Sequence, residues 1–315
     1  MGIIRPLTVT LSVAGLFWGG MWLNAAAQGG GQITIDPFYQ EITLDPKAPS
    51  KTYRVKITNN SSQPHIFKIK TADFGSLNET GGVAFIGVAK PDLNYKYGLT
   101  PWLSLDEDLV SLDPGQTRQI SFRVTKVDSL SPGGHYGAIL VTTDTGSSED
   151  KSKVQISPVV SSLILLKKIG GEVYGIKLES ADVKRSFLGL PAKAAIRFAN
   201  NGNTHIVPRG TVTITDMKGS IISEALINSE SGYILPGNIR QLQSSLRDIK
   251  TAWLPGYYNL NISYRYDGND DFNIKTTRFF YIGQGVKAAA ILGVILAAIW
   301  LIIKPKKLIK SWSKK

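Results

Sequence analysis

Lys56–Phe67 reads KITNNSSQPHIF, and Arg197–Pro208 reads RFANNGNTHIVP. Each is an alternating run that ends in Asn-Asn, turns through small polar residues and resumes at His-Ile. Two more landmarks follow in the same order in both regions. The first pair is LDPGQTRQI (Leu112–Ile120) and ILPGNIRQL (Ile234–Leu242), a Pro-Gly turn with Arg three residues after the Gly. The second pair is LSPGGHYGAILV (Leu130–Val141) and WLPGYYNLNISY (Trp253–Tyr264), a Pro-Gly turn that runs into Tyr. Pro114 to Pro132 is 18 residues and Pro236 to Pro255 is 19, a spacing that generic loop composition does not produce.

Outward from these landmarks the hydrophobic period is two. TYRVKIT alternates through Tyr53, Val55 and Ile57, HIFKIKT through Ile66, Lys68 and Lys70, and TRQISFRVT through Ile120, Phe122 and Val124. Short alternating runs separated by Asn, Gly, Pro and Ser turns predict β-sandwiches rather than helices. The fold class expected is all-β, with two tandem immunoglobulin-like sandwiches at 28–168 and 169–284. The first copy is longer: Asn60 to Pro114 spans 54 residues against 35 from Asn201 to Pro236, so it carries 19 more, within Thr71–Leu105. That insertion, around 73–105, is where a sandwich usually places recognition.

Both ends read as topogenic. Residues 1–27 combine Arg5, an apolar run and Ala25-Ala26-Ala27, which predicts a cleaved signal peptide, with an uncleaved anchor as the alternative. Val286–Ile303 is an 18-residue apolar run with one charge, Lys287, and the tail 304–315 (KPKKLIKSWSKK) has six lysines and no acid. At 1.5 Å per residue the run spans about 27 Å, which predicts a transmembrane helix with a cytoplasmic tail and the sandwiches facing the cell wall.

The net charge of +12 is mostly topogenic. Eight basic and no acidic residues lie in 1–27 and 285–315, leaving 28 basic against 24 acidic elsewhere, which gives no support for nucleic-acid binding. The chain has no cysteine, so disulfides, thiolate metal sites and a cysteine nucleophile are excluded.

No catalytic constellation stands out, and neither enzyme activity nor a cofactor is expected. Pro132, Gly133, Gly134, His135 and Tyr136, with Pro255, Gly256 and Tyr258, read as turn and strand-corner residues, the tyrosines bonding back to the preceding loop. His135 matches Tyr257 when the copies are aligned on their tyrosines, which argues against a catalytic base. His65 and His205 hold equivalent places after Asn-Asn and imply shared packing. DGNDDF (Asp267–Phe272) lacks the calcium loop's later glycine and glutamate and reads as a hairpin tip. Asp106–Asp108 reads as a solvated strand edge. Phe85, Tyr95, Tyr97 and Trp102 in the insertion are candidate partner contacts, because aromatic anchors dominate interfaces; a small satellite core is the alternative.

At these same segments the chain resembles the WxL-interacting protein family of bacterial surface proteins. The carrying stretches are ITIDP, EITLDPKAPSKTYRVKITNNS, PWLSLDEDLVSLDPGQTRQISFRVT, SPGGHYGAILV and SSLILLKK, then NNGNTHIVPRGTVTITDMKG and ILPGNIRQL. The resemblance implies two immunoglobulin-like domains outside a C-terminal anchor, a first domain linked to peptidoglycan and a second linked to other surface proteins, with WxL-domain proteins as partners. The expected function is adhesion or scaffolding at the cell surface. The opening strands also resemble pilus-chaperone sandwiches, so capture of a client strand by β-augmentation is the alternative.

Overall fold

The computed structural model describes residues 32–48, 50–87, 95–144, 158–183 and 189–303. The expected signal peptide, the basic tail and residues 88–94 of the insertion lie outside the described residues. The described residues are all-β apart from short 3-10 turns and one C-terminal helix.

The first sandwich is built from β1 (Ile33–Asp36), β2 (Tyr39–Leu44), β3 (Thr52–Asn59), β4 (His65–Ser76), β5 (Val83–Ile86), β6 (Leu103–Leu105), β7 (Leu109–Leu112), β8 (Thr117–Val124), β9 (Gly133–Thr143) and β10 (Val159–Lys168). One sheet runs β1-β3-β8-β6 and the other β2-β10-β9-β4-β5, with β7 also on β4. Val55, Ile57, Ile120 and Phe122 from one sheet meet Phe67, Ile69, Ile139, Val141 and Ile164 from the other in one apolar core. On β4 it is Phe67 and Ile69 that point inward, so Ile66, Lys68 and Lys70 form the outward face.

The second sandwich comprises β11 (Ile176–Val183), β12 (Lys193–Asn200), β13 (Arg209–Thr215), β14 (Ile221–Ile227), β15 (Ile239–Ser245), β16 (Arg247–Asp248), β17 (Gly256–Tyr266) and β18 (Asn269–Tyr281). Its sheets are β11-β12-β15 and β16-β14-β13-β17-β18, closed over Ile196, Phe198, Val212, Ile214, Leu260 and Ile262. Helix α1 (Gly283–Ile303) follows directly, apolar and unburied by the rest of the chain, and long enough to cross a membrane.

The repeated Asn-Asn and Pro-Gly landmarks are two halves of one lock. Asn59 is fully buried; its amide donates to the carbonyls of Gln63 (2.8 Å) and Leu112 (3.0 Å), and its Oδ1 accepts from Ser61 N–H (3.0 Å). Asn200 repeats this with Thr204 O (2.8 Å), Ile234 O (2.8 Å) and Gly202 N–H (2.9 Å). The backbone agrees as well: Gly115 N donates to Asn59 O and Gly237 N to Asn200 O, each from the Gly of its Pro-Gly turn. Both glycines have positive φ, +74° and +72°, which a tight turn of this kind reserves for glycine. A buried asparagine whose amide is saturated by backbone carbonyls thus ties strand end to turn in each copy.

Candidate functional site at the junction of the sandwiches

The corner residues do different work in the two copies. Tyr258 donates its hydroxyl to Leu254 O, four residues back, at 2.9 Å. In the first sandwich His135 takes that place: Nε2 lies 2.9 Å from Ser131 O, also four residues back, and 3.2 Å from Ser131 Oγ. The match therefore follows the proline, since His135 and Tyr258 are each third after it and face their cores. Exposed Tyr257 is not the counterpart of His135. Burial depresses the His135 pKa against the raising effect of its backbone bonds. The ring nitrogens thus face two backbone carbonyls, Ser131 O from Nε2 and Gly98 O from Nδ1 (3.1 Å), and the single N–H of a neutral ring donates to one of them.

Tyr136 points the other way, out of the sandwich. In a lone sandwich that face of β9 would meet water. Here Tyr136, Ala138 and Leu140 form a second apolar layer with Phe74 and Leu165, against Tyr97 of the insertion and Tyr233 and Leu235 of the second sandwich. The Tyr136 hydroxyl lies 3.4 Å from His205 Nδ1, and His205 Nε2 lies 3.2 Å from Glu41 Oε1, which is also near Tyr233. Tyr233 donates to the other Glu41 oxygen at 3.0 Å. This chain of bonds crosses from one sandwich to the other. Burial pulls the His205 pKa down against the pull of Glu41. Burial pushes Glu41 up, but the bonds from His205 and Tyr233 outweigh it and the net shift is downward. Tyr136 is raised well above the ordinary tyrosine range by burial, and Tyr233 is raised to about 12 by burial and then by Glu41. His205 is thus buried between sandwiches while His65 is half-buried against Phe67: His65 is the sixth residue after Asn59 and His205 the fifth after Asn200, so the two are one residue out of register and share no packing.

The turn residues complete the joint. Gly134 N donates to Asn203 O (2.8 Å), and a Cβ on Gly133, whose φ is +106°, would lie 2.6 Å from the same oxygen. Pro132 packs where a Cβ on Gly171 would touch it, whereas Gly256 lies at the far end of the second sandwich, opening β17 opposite Tyr281 and close to Met217. The insertion contributes a strap. Glu79, between β4 and β5, grips the Arg197 guanidinium with both carboxylate oxygens (2.6 Å to Nε), and its carbonyl accepts from Gln241 N (2.7 Å).

The later part of the insertion is pinned to its own sandwich. Buried Asp73 accepts from Leu99 N and Thr100 N at 2.7 Å each, and Tyr136 N donates to Tyr97 O (2.7 Å). Tyr95 donates to Phe74 O (3.2 Å), and burial raises its pKa to about 12. Trp102 Nε1 donates to Ser129 Oγ (2.9 Å) with the indole against the core. Of the four insertion aromatics only Phe85 is exposed, on β5 beside Phe74. Asp106 and Glu107 pair with Arg123 and Arg118 across their sheet. Asp267 sits at the β17–β18 turn, taking Val207 N–H (2.8 Å) and Arg209 (3.1 Å).

Between the sandwiches lie two depressions. One, of about 470 Å³, is polar and bounded by Glu41, Lys167, His205, Arg209, Arg265 and Asp267. The other, of about 280 Å³, is an apolar groove bounded by Phe38, Tyr39, Phe74, Val83, Leu163 and Tyr233. Phe38 is 69% exposed and Tyr39 41%, their rings edge to face at 4.8 Å.

Beside this groove β10 is half open. β2 pairs in parallel with Leu163–Lys168 only, beginning with Leu163 N donating to Phe38 O (2.9 Å). Val159–Ser162 are paired with β9 alone among the described strands. By the strand's period of two, the amides of Val159 and Ser161 point to the same side as that of Leu163, away from β9. Sequence reasoning missed Phe38, Tyr39, Glu41, Glu79 and Tyr233. The only local signal was the bulky pair Phe38-Tyr39 where β2 begins.

No family model matches the chain, and no curated protein matches it. Among solved structures it is similar to a class 5 fimbriae chaperone, 12% identical, with a TM-score of 0.40 over 78% of this chain and 98% of that one. It is also similar to a chain from a chaperone-tip adhesin complex of CFA/I fimbriae biogenesis (11%, TM-score 0.42, 80% and 99% covered). A third is a protein of unknown function from Porphyromonas gingivalis W83 (13%, TM-score 0.30, 80% and 100% covered).

Proposed function

We propose that this chain is a membrane-anchored, non-enzymatic surface protein that holds a protein partner in extended form at the junction of its sandwiches. The observation that carries the reading is the open half of β10, with its outward amides at Val159 and Ser161, running into an apolar groove with exposed aromatic rings. An added strand draws affinity from main-chain bonds and specificity from pockets for alternate side chains, and both features are side by side here. Aromatic rings supply rigid anchors at little entropic cost. The strap and the Tyr136–His205–Glu41 bonds hold both walls of the groove, so little ordering is left to the binding step. In this reading α1 is the anchor and the sandwiches face the cell wall. WxL-domain proteins are the partner class that the family resemblance supports.

Peptidoglycan binding by the first sandwich is the second reading. The exposed rings of Phe38, Tyr39 and Phe85 favour it, since sugar rings stack on such faces.

The test uses the full chain in cells, with a photo-crosslinking residue at Val159 or, as control, at Leu226, and with Ser161→Pro. The proline removes an outward amide while sparing the β9 ladder, and edge positions tolerate it. Crosslinking of one discrete protein at Val159 but not at Leu226, lost in Ser161→Pro with an unchanged melting temperature, supports strand addition. Retention of the purified chain on wall sacculi that survives Ser161→Pro and is lost in Phe38→Ser with Phe85→Ser supports the glycan reading. If neither result is obtained, both readings are refuted.

A further inference from the structure

At the end of the second sandwich away from the junction, β18 runs into α1 without a linker. Tyr281 ends the strand and Gly283 begins the helix. The first-turn amides of Gln284 and Gly285 donate to the carbonyls of Ala252 (2.8 Å) and Trp253 (3.0 Å), and Lys287 Nζ donates to Tyr281 Oη (3.2 Å). A Cβ on Gly283, whose φ is +76°, would run into the carbonyls of Trp253 and Leu254, so the helix start is clamped against that loop.

Around the clamp stand Met217, Ile249, Trp253, Leu254, Tyr257 and Phe280, between 41% and 70% exposed. Tyr257 and Phe280 meet edge to face at 5.5 Å, and Met217, Trp253 and Leu254 bound a shallow apolar pocket of about 250 Å³. These residues come from the β13–β14 turn, the stretch before β17 and the facing ends of β17 and β18, and they encircle one point, the root of the helix. Lys218 and Lys250 lie in the same turns. A soluble surface rarely gathers so many large apolar side chains without a partner.

We propose that this collar is seated in the lipid headgroup region, so that the second sandwich stands on the membrane in a set orientation instead of swinging from a tether. The inference rests on the reading of α1 as a membrane span, and continuity with that helix identifies the occupant. Gly283–Ile302 covers about 30 Å at the helical rise, the thickness of the hydrocarbon core, so groups bonded to Gln284 and Gly285 lie at its boundary. Trp and Tyr favour that boundary, where an apolar ring meets polar surroundings. Lysines in the flanking turns face anionic headgroups there.

The chain has no cysteine, so single spin labels can be placed on the full chain in vesicles of phosphatidylcholine and phosphatidylglycerol. Labels at Leu254→Cys and Met217→Cys are compared with Ile291→Cys in α1 and with Leu226→Cys, an exposed position on β14 near the opposite end of the sandwich. The readout is accessibility to oxygen relative to a water-soluble nickel chelate. The collar labels are expected several-fold above Leu226 and below Ile291. Collar labels that match Leu226 while Ile291 reports hydrocarbon overturn the proposal and leave the anchor intact. An Ile291 label in water overturns both. Dipolar broadening between Leu254 labels that persists as lipid is added in excess assigns the collar to a second copy and also overturns it.

Discussion

Replacing Asn200 with Ala tests the lock that repeats in both sandwiches. The side chain is 1% exposed and makes three bonds: two from its amide, to Thr204 O and Ile234 O, and one accepted from Gly202 N–H. Ile234 O retains the amide of Ile206 at 3.1 Å, so the alanine leaves two backbone groups, Thr204 O and Gly202 N–H, without this partner. At about 1 kcal/mol net for each of three buried bonds, the loss is about 3 kcal/mol. For a sandwich of this size that lowers the melting temperature by about 10 °C. Asn200→Asp is worse than Ala, because a carboxylate cannot donate and would face two carbonyl oxygens in a buried site. Asn201→Ala, on the exposed neighbour, stays within about 0.5 kcal/mol of the parent. The assay is thermal unfolding of the full chain in detergent, followed by far-UV circular dichroism. A melting temperature for Asn200→Ala within about 2 °C of the parent, or an Asp variant no worse than Ala, would refute the reasoning. Asn59→Ala is expected to behave alike, since its bonds are the same in kind and number to the backbone.

Stability is expected to fall as pH drops from about 7 to about 5. Burial holds the pKa of His135 and His205 below 6.5, so in this window the unfolded chain binds more protons than the folded one. Urea midpoints at the two pH values check this, and His205→Gln flattens the dependence. Gly133→Ala destabilises by about 2 kcal/mol, because φ is +106° and the new Cβ meets Asn203 O; the urea midpoint reads it. Glu79→Ala broadens the distance distribution between spin labels placed one on each sandwich, and exchanging the charges as Glu79→Arg with Arg197→Glu narrows it again.

The reading of local pattern held where the physics is local. Alternation in TYRVKIT and TRQISFRVT follows from strand geometry, and the structure buries Val55, Ile57, Ile120 and Phe122 as one face. Alignment on the tyrosines pairs His135 with Tyr257, but the proline sets the turn, and counting from Pro132 and Pro255 pairs His135 with Tyr258. The i to i−4 contacts of His135 and Tyr258 show which residues correspond. Spacing between the landmarks could not show that Glu79 crosses to Arg197 while Tyr95, Tyr97 and Trp102 pack on their own sandwich.

The sequence by itself determined two β-sandwiches of one type and an apolar run long enough for a span. Those outcomes depend on periodicity and turn chemistry within a few residues. Only the tertiary structure decided what the outer faces do. His205 follows its Asn-Asn one residue sooner than His65 does, and nothing near it in sequence points to Glu41, 164 residues away, to which it bonds. Tyr136 meets His205, and Tyr233 meets Glu41, only when two finished sandwiches come together. A surface between folded domains is set by which faces come together, and short-range pattern carries no record of that.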